Sequence, residues 1–168
     1  MPTPPPSPRT ELRRRSDRAD YGRATIDAIV DQALICNIAF NHGGSVHCLP
    51  TSCWRVGDHL YIHSANNSRM AAALLAGECS VCIAHLDGLV LARSALHHSM
   101  NYRSVVLYGG FEAVTEPAYK LASLRAFIDG LYPGRWDTLR PINDKELNAT
   151  TVLRIALDEA SAKVRDWG

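Results

Sequence analysis

The sequence predicts a mainly β fold, a small antiparallel barrel decorated with short helices. Three observations support this prediction. Apolar runs separated by glycine turns fill residues 35–64, two further apolar runs follow an alanine-rich stretch, and helical periodicity is confined to short segments. About six strands with helices at their side indicate a barrel, because the strands do not alternate with long helices as in a parallel α/β sheet.

Composition describes an ordinary globular protein. The chain has 168 residues, 46% of them hydrophobic and 21% charged, with a formal net charge of +1. We therefore expect one domain, without a general electrostatic reason for binding nucleic acid or a membrane. No apolar run reaches the roughly 18 to 20 residues of a membrane span, and the basic N-terminus lacks the apolar core of a secretory signal. The five cysteines are expected to be reduced thiols in a cytoplasmic protein.

The first eighteen residues are expected to form a mobile tail, with a single domain over residues 19–168. Five of the first eight residues are proline, and Arg13, Arg14, Arg15 and Arg18 follow. Prolines favour extended polyproline geometry and donate no backbone hydrogen bond. The arginine cluster is interpreted as a solvated charge run, the alternative being contact with phosphate or RNA.

The first half of the domain reads as a helix followed by a β meander. Ile26, Ile29, Val30 and Leu34 recur at helical spacing. Three strands follow, with glycine-containing turns at residues 41–44 and 55–58: these strands are residues 35–40, 45–54 and 59–64. Pro50 interrupts the second strand and predicts an edge position or a bulge, since proline cannot donate to a ladder.

The second half alternates short helices with strands. An alanine-rich helix over residues 67–77 is expected to end at Gly77. Two strands, residues 79–86 and 102–114, are expected to be joined by a turn that begins at residues 86–88. Pro117 favours the first turn of a helix that continues over residues 119–131. A loop at 133–141, a short helix at 144–150 and a strand at 151–158 complete the prediction.

A phosphate site is the first chemical candidate. A strand ends at Ser64 and a helix begins near Ser68, and helix N-termini expose unpaired N–H groups that attract anions. The hydroxyls of Ser64 and Ser68 and the guanidinium of Arg69 are groups that bind phosphate. The alternative is a plain helix cap beside a surface charge.

The polar stretch ALHHSMNYRS, residues 95–104, precedes an apolar strand and is interpreted as a solvated loop, a metal site or a pocket wall. Adjacent His97 and His98 diverge in a helix or a strand, and no acidic residue lies between Gly88 and Phe111, so no metal site is expected. Cys79 and Cys82 have CxxC spacing without a second pair, which predicts buried structural thiols. Neither a G-x-S-x-G nucleophile turn nor a glycine-rich phosphate loop is present.

Four motifs in this order resemble the flavin-nucleotide-binding branch of the pyridoxamine 5′-phosphate oxidase-like proteins, which includes the nitroimidazole-resistance proteins. They are YIHSANNSRM (61–70), LARSALHHSMNYRSVVLYG (91–109), PGRWD (133–137) and ASAKVR (160–165). The resemblance runs from about Arg18 to Arg165. It implies a split β-barrel that forms a homodimer, with FMN bound at two equivalent sites across the interface.

The resemblance also implies roles for individual residues. His63 and Ser64 would lie beside the ribityl phosphate arm, Ser68 and Arg69 would hold the phosphate, and Met70 stands where the oxidases have a lysine. The strand segment that would face the ring edge comprises His47, Cys48, Leu49 and Pro50. Ser104 falls where the oxidases have a glutamine that reaches the flavin. Trp136 would either cover the ring from the partner subunit or pack within its own loop.

The function implied is that of an FMN-dependent oxidoreductase acting on a small flat substrate, either a nitro compound or an amine. His98, Tyr102 and Arg103 are the candidates to orient this substrate or donate protons. Ser52 replaces a lysine expected to bind substrate phosphate, so oxidation of pyridoxamine phosphate itself is not expected. Two alternatives stay open, a non-catalytic flavin-binding or sensing protein and a haem-binding split barrel whose axial histidine comes from the polar stretch.

Overall fold

The computed structural model describes residues 3–167. Within them the chain forms four helices: α1 (Arg23–Asp31), α2 (Arg69–Ala76), α3 (Pro117–Leu131) and α4 (Asp144–Ala149). The strands are β1 (Ala19–Asp20), β2 (Ile35–His42), β3 (Ser45–Ser52), β4 (Trp54–Val56), β5 (His59–Ala65), β6 (Glu78–Val90), β7 (Ser99–Gly110), β8 (Glu112–Ala113), β9 (Thr150–Ala156) and β10 (Ala160–Arg165).

The strands form two antiparallel sheets. One has the order β1-β10-β7-β6-β2-β3, and the other has the order β4-β5-β9-β8. Their inner faces enclose the main core, where Leu60, Ile62 and Leu153 are fully buried. On the outer face of the smaller sheet, Trp54 and Tyr61 pack against α3 in a second core. Because the two sheets stay separate, the fold is a split barrel, and the predicted fold class is confirmed.

The β2–β3 hairpin follows the sequence prediction closely. Gly43 and Gly44 have φ angles of 58° and 78°, the left-handed conformation that glycine adopts without a steric penalty. Pro50 lies in β3, which is the edge strand of the larger sheet and pairs only with β2. The missing N–H of proline therefore leaves the sheet intact.

The turn predicted at residues 86–88 is wrong. β6 continues through this segment to Val90, and the pairing with β7 shifts register between Leu86 and Gly88. Asp87 is the extra residue of a β-bulge, so the strand bends without ending. The hairpin connection lies instead at residues 91–98, which places Ser99 to Tyr102 in β7.

Three further details differ from the prediction. Residues 160–165 form β10, which pairs with β7 through Ala160 and Leu107, although no strand was predicted there. Helix α1 ends at Asp31, so Leu34 lies outside it and is exposed. Gly77 ends α2 in an extended conformation instead of the left-handed one.

Residues 3–18, expected as a mobile tail, lie against the larger sheet in the structure. The Arg9 guanidinium donates to Glu159 Oε1 at 2.7 Å and to Glu78 Oε2 at 2.8 Å, and it lies over the Tyr108 ring. Thr10 is buried. Charge-assisted hydrogen bonds to one end of the larger sheet thus hold the part around Arg9 of a segment whose proline content alone indicates mobility.

Across residues 3–167, none of the helices combines the length and hydrophobicity that crossing a membrane requires. All five cysteines are free thiols: Cys36, Cys53 and Cys79 are buried, and Cys48 and Cys82 are exposed. The predicted burial of Cys82 is wrong, because residues three apart in a strand point to opposite faces and Cys79 takes the inner one.

Candidate functional site

The turn between β5 and α2 is held in place by Asn66. Its backbone N–H donates to Ala149 O at 3.2 Å, its side-chain amide donates to Asn148 O, and its Oδ1 accepts from Thr151 Oγ1 at 2.7 Å. These bonds tie residues 65–68 to the start of β9. Sequence reasoning considered Asn66 only as a possible helix cap, because these bonds are tertiary contacts with residues more than eighty positions away.

Ser68 and Arg69 lie where the sequence predicted a phosphate site. Ser68 is the N-cap of α2, and its hydroxyl accepts from Ala71 N at 3.4 Å. Arg69 is exposed, and within residues 3–167 its guanidinium has neither an ion pair nor a hydrogen bond. Ser64 is half-buried at the end of β5. A free cation and two hydroxyl residues therefore flank one helix N-terminus, an arrangement that can bind an anion.

Met70 takes a different position from its neighbours. Its side chain is half-buried and packs against the main core. Because Met70 lies in the first turn of α2, its backbone N–H has no partner within the helix, and this N–H is the one group of Met70 that can donate to an anion. A contact between Met70 and a cofactor would therefore run through the backbone.

His63 and Ser52 meet where the two sheets come together. Ser52 Oγ lies 3.5 Å from His63 Nδ1. The imidazole packs against the rings of Trp54 and Phe127, with centroid distances of 5.9 and 5.6 Å, and these two rings lie 4.7 Å from each other. Burial lowers the pKa of His63 below its usual range, so the ring is neutral at neutral pH. His63 is thus a fixed, uncharged imidazole.

The β3 segment predicted to face a ring edge is open on one side. Cys48, Leu49 and Pro50 are exposed, while His47 is half-buried and stacks on Phe40 at 5.5 Å. Because β3 is an edge strand, its outer backbone groups have no partner strand. This is the arrangement that backbone contact with a cofactor requires.

The three predicted catalytic residues do not share one surface. Tyr102 and Arg103 are neighbours in β7 and point to opposite faces of the sheet. Arg103 donates to both carboxylate oxygens of Asp87, at 2.9 and 2.7 Å, and to Gln32 Oε1 at 3.0 Å. His98 is exposed in the hairpin connection, and its Nδ1 lies 3.1 Å from Ser94 O. The bonds of Arg103 describe a structural residue, and its catalytic role stays a prediction.

Ser104 is far from β3 within one chain. It is half-buried in β7 and its hydroxyl donates to Lys163 O at 3.4 Å. Strands β6 and β2 lie between β7 and β3, so three strand spacings, roughly 14 Å, separate Ser104 from the Pro50 strand. If both contact one flavin ring, they come from different subunits.

Trp136 lines a cavity of about 520 Å³ on the outer side of the smaller sheet. Trp136 begins a short 3₁₀ turn, Trp136–Thr138, and its backbone N–H donates to Asp129 Oδ1 at 3.0 Å. His63 lines the same cavity. The structure therefore brings Trp136 and His63 together within one chain, a neighbourhood that sequence spacing did not predict.

A metal cluster does not occur in the part of the chain that the structure describes, where no three histidine, cysteine or acidic side chains come together.

Comparison with known proteins identifies the family. The family model of pyridoxamine 5′-phosphate oxidase matches residues 22–164. The chain belongs to the pyridoxamine 5′-phosphate oxidase family. The predicted resemblance is thus confirmed, and it covers nearly all of the described fold. A comparison with curated protein sequences gives no match.

Two solved structures resemble this member of the family closely. The flavocytochrome Anf3 from Azotobacter vinelandii is 40% identical, with a TM-score of 0.92, covering 96% of this chain and 76% of its own. The FAD and haem binding protein from Mycobacterium smegmatis is 34% identical, with a TM-score of 0.84, covering 89% and 74%. A candidate 5-nitroimidazole antibiotic resistance protein from Bacteroides thetaiotaomicron is 20% identical, with a TM-score of 0.70, covering 87% and 86%, and shares the fold.

Proposed function

We propose that this protein is a flavin-dependent oxidoreductase that binds a flavin nucleotide, FMN or FAD, at the corner formed by β3, the end of β5 and the start of α2. The observation that carries the proposal is the 40% identity, over 96% of the chain, to a flavocytochrome of the same fold. The free Arg69 beside the capped helix supplies the cation that a phosphate group needs.

Each part of this corner has a task in the proposal. Arg69, Ser68 and Ser64 hold the phosphate, and the open backbone edge of β3 faces the ring. Asn66 keeps the turn ordered before the cofactor binds, which lowers the entropic cost of binding. The flavin, when bound, supplies the electron-transfer chemistry, while the protein determines which small flat substrate approaches it.

The exposed apolar residues support a homodimer in this proposal. The hairpin extension, which comprises residues 86–98 at the far end of the β6–β7 hairpin, exposes four leucines, more than is usual for a monomer. Their exposed fractions are 65% for Leu86, 70% for Leu89, 79% for Leu91 and 93% for Leu96. The distance between Ser104 and Pro50 adds a second reason, because two chains can bring both residues to one ring. The cofactor would then bind at the interface.

A second candidate function is that of a flavocytochrome that binds haem as well as flavin. It is favoured by the two relatives above 30% identity, one a flavocytochrome and the other a protein that binds FAD and haem. Haem in this fold would act as a second redox centre beside the flavin.

The absorption spectrum of the purified protein tests both candidates. Flavin bands that remain after gel filtration, with identification of the released nucleotide, support the first function, and a Soret band in addition supports the second. Reduction of bound flavin by NAD(P)H and its reoxidation by nitro compounds then distinguishes an enzyme from a binding protein. A folded protein that neither contains nor takes up FMN or FAD contradicts the proposal.

A further inference from the structure

The cavity that His63 and Trp136 line has walls suited to a flat apolar ligand. It lies between the outer face of the smaller sheet and the helices α3 and α4, and its volume of about 520 Å³ falls among pockets that hold cofactors, roughly 300–1,000 Å³. Leu124, Phe127, Ile128, Leu139 and Leu147 form most of its surface. Such a wall excludes water from a macrocycle and favours its burial.

His63 is the single imidazole among the described residues that line this cavity. Its Nδ1 faces Ser52 Oγ, and within residues 3–167 its Nε2 has no hydrogen-bond partner. The imidazole packs against the rings of Trp54 and Phe127, which also contact each other, and this contact fixes the position of His63. One nitrogen is oriented by a neighbour and the other is free, as in histidine ligands generally.

A cationic group stands at the edge of the same cavity. Arg140 is exposed, and its NH1 donates to Glu146 Oε2 at 2.9 Å. The other arm of this guanidinium is bonded to Glu146 Oε1, so a haem propionate would share Arg140 with the Glu146 carboxylate. The apolar walls and the His63 imidazole are the features that fit haem.

We propose that the cavity lined by His63 is a haem site, with His63 Nε2 as an axial ligand of the iron and Arg140 facing the propionates. The inference rests on the second candidate function above and deepens it, because it names the place and the ligand. Under this proposal the axial ligand is His63 and not a histidine of the hairpin connection, where His97 and His98 are both exposed.

The test is a hemin titration of the purified full-length protein, followed by the Soret band and the electron paramagnetic resonance spectrum. In His63→Ala the affinity for hemin should fall on the order of 10-fold or more, since even partners of metal ligands contribute 10- to 100-fold. The Soret band should shift, and added imidazole should restore it. His59→Ala is the matched control, because His59 lies on the same strand and face outside the cavity, and its titration should equal that of the unmodified protein.

A second variant covers the case in which His63→Ala does not fold. Leu124→Trp fills the cavity and leaves His63 in place, so it should block hemin while flavin binding, followed by fluorescence quenching, stays unchanged. An unchanged Soret band in His63→Ala, or its loss in His98→Ala alone, overturns the assignment. If the unmodified protein binds flavin and not hemin at 1:1 stoichiometry, the haem site is wrong and the flavin proposal stands. Failure to bind either ligand contradicts both.

Discussion

Arg103 and Asp87 form a two-armed ion pair across the β6–β7 strand pair, with nitrogen–oxygen distances of 2.9 and 2.7 Å. The pair sits at the bulge where β6 bends and continues into the hairpin extension. Asp87 is the extra residue that the bulge accommodates, so its carboxylate is available to the neighbouring strand. The ion pair thus stabilises a bend that the sequence pattern presents as a turn.

The first prediction concerns the pH dependence of this pair. The Arg103 guanidinium holds the pKa of the Asp87 carboxyl below its usual range, so the pair contributes stability above about pH 4 and loses it as pH falls through the folded-state pKa. Arg103→Gln should lower the melting temperature by about 2 °C at pH 7, since both side chains are partly exposed. The difference from the unmodified protein should shrink below pH 4.

Asp87→Asn and the double variant complete a thermodynamic cycle for the same pair. Urea unfolding at pH 7 and pH 3.5 measures the coupling, which should be present at the higher pH and reduced at the lower one. A coupling close to zero at pH 7 would contradict the ion pair as a source of stability and would leave Gln32 as the partner through which Arg103 acts.

The second prediction concerns the phosphate group of the flavin. Arg69→Ala should weaken flavin nucleotide binding roughly 10- to 100-fold, the effect of removing one charge-assisted hydrogen bond of about 1.5–3 kcal/mol. Riboflavin, which lacks the phosphate, should bind both proteins equally. Arg14→Ala is the control, because Arg14 is likewise exposed and has no ion pair within residues 3–167. Equal affinities of Arg69→Ala and the unmodified protein for FMN would move the phosphate site elsewhere.

The third prediction concerns the hairpin extension as a dimer contact. Leu89→Asp places a charge among the exposed leucines and should shift the protein to monomers in sedimentation velocity experiments, since burying an unpaired carboxylate is costly. Tyr119→Asp is the control, as Tyr119 is 72% exposed at the start of α3 and away from the extension. Flavin affinity should fall together with dimerisation. A monomer that keeps its flavin affinity would contradict a cofactor site at the interface.

The fourth prediction concerns the N-terminal segment. The guanidinium of Arg9 lowers the pKa of Glu159 to about 2, so the ion pair is complete above about pH 4.5 and is lost as pH falls toward 2. Arg9→Gln should release the segment and speed tryptic cleavage after Arg13, Arg14 and Arg15 several-fold at pH 8. Glu11→Gln breaks only the exposed pair with Arg13 and should leave the cleavage rate nearly unchanged. Equal rates in all three proteins would mean that other contacts hold the segment.

The sequence predicted local structure well where a physical rule acts over a few residues. Gly43 and Gly44 formed the expected hairpin turn, Pro50 lay on an edge strand, Pro117 began α3, and Ser68 capped α2. Glycine and proline restrict or free a single φ angle, and a capping hydroxyl reaches only three residues. Such signals are complete within the segment that carries them.

The candidate site was predictable only in part. The helix N-terminus with Ser68 and Arg69 was evident, because its groups are neighbours in sequence. The role of Asn66, and the meeting of His63 with Ser52 and Trp136, were not, because each depends on strands or helices brought together by folding. Arg103 was interpreted as a substrate-binding residue because it belongs to the polar stretch before β7. Its ion pair with Asp87 could not be predicted, because Asp87 lies in a segment that was predicted to be a turn.

The sequence by itself determined most of the strands and turns and the family of this protein, since these depend on short-range backbone preferences and on motifs read in order. The tertiary structure decided which side chains have partners and which remain free to bind. It paired Arg103 with Asp87 and Gln32, left Arg69 without a partner among residues 3–167, and placed His63 in the wall of an apolar cavity. The physical reason is that hydrogen bonding and burial are set by residues distant in sequence, and these determine what a charged or polar group can still do.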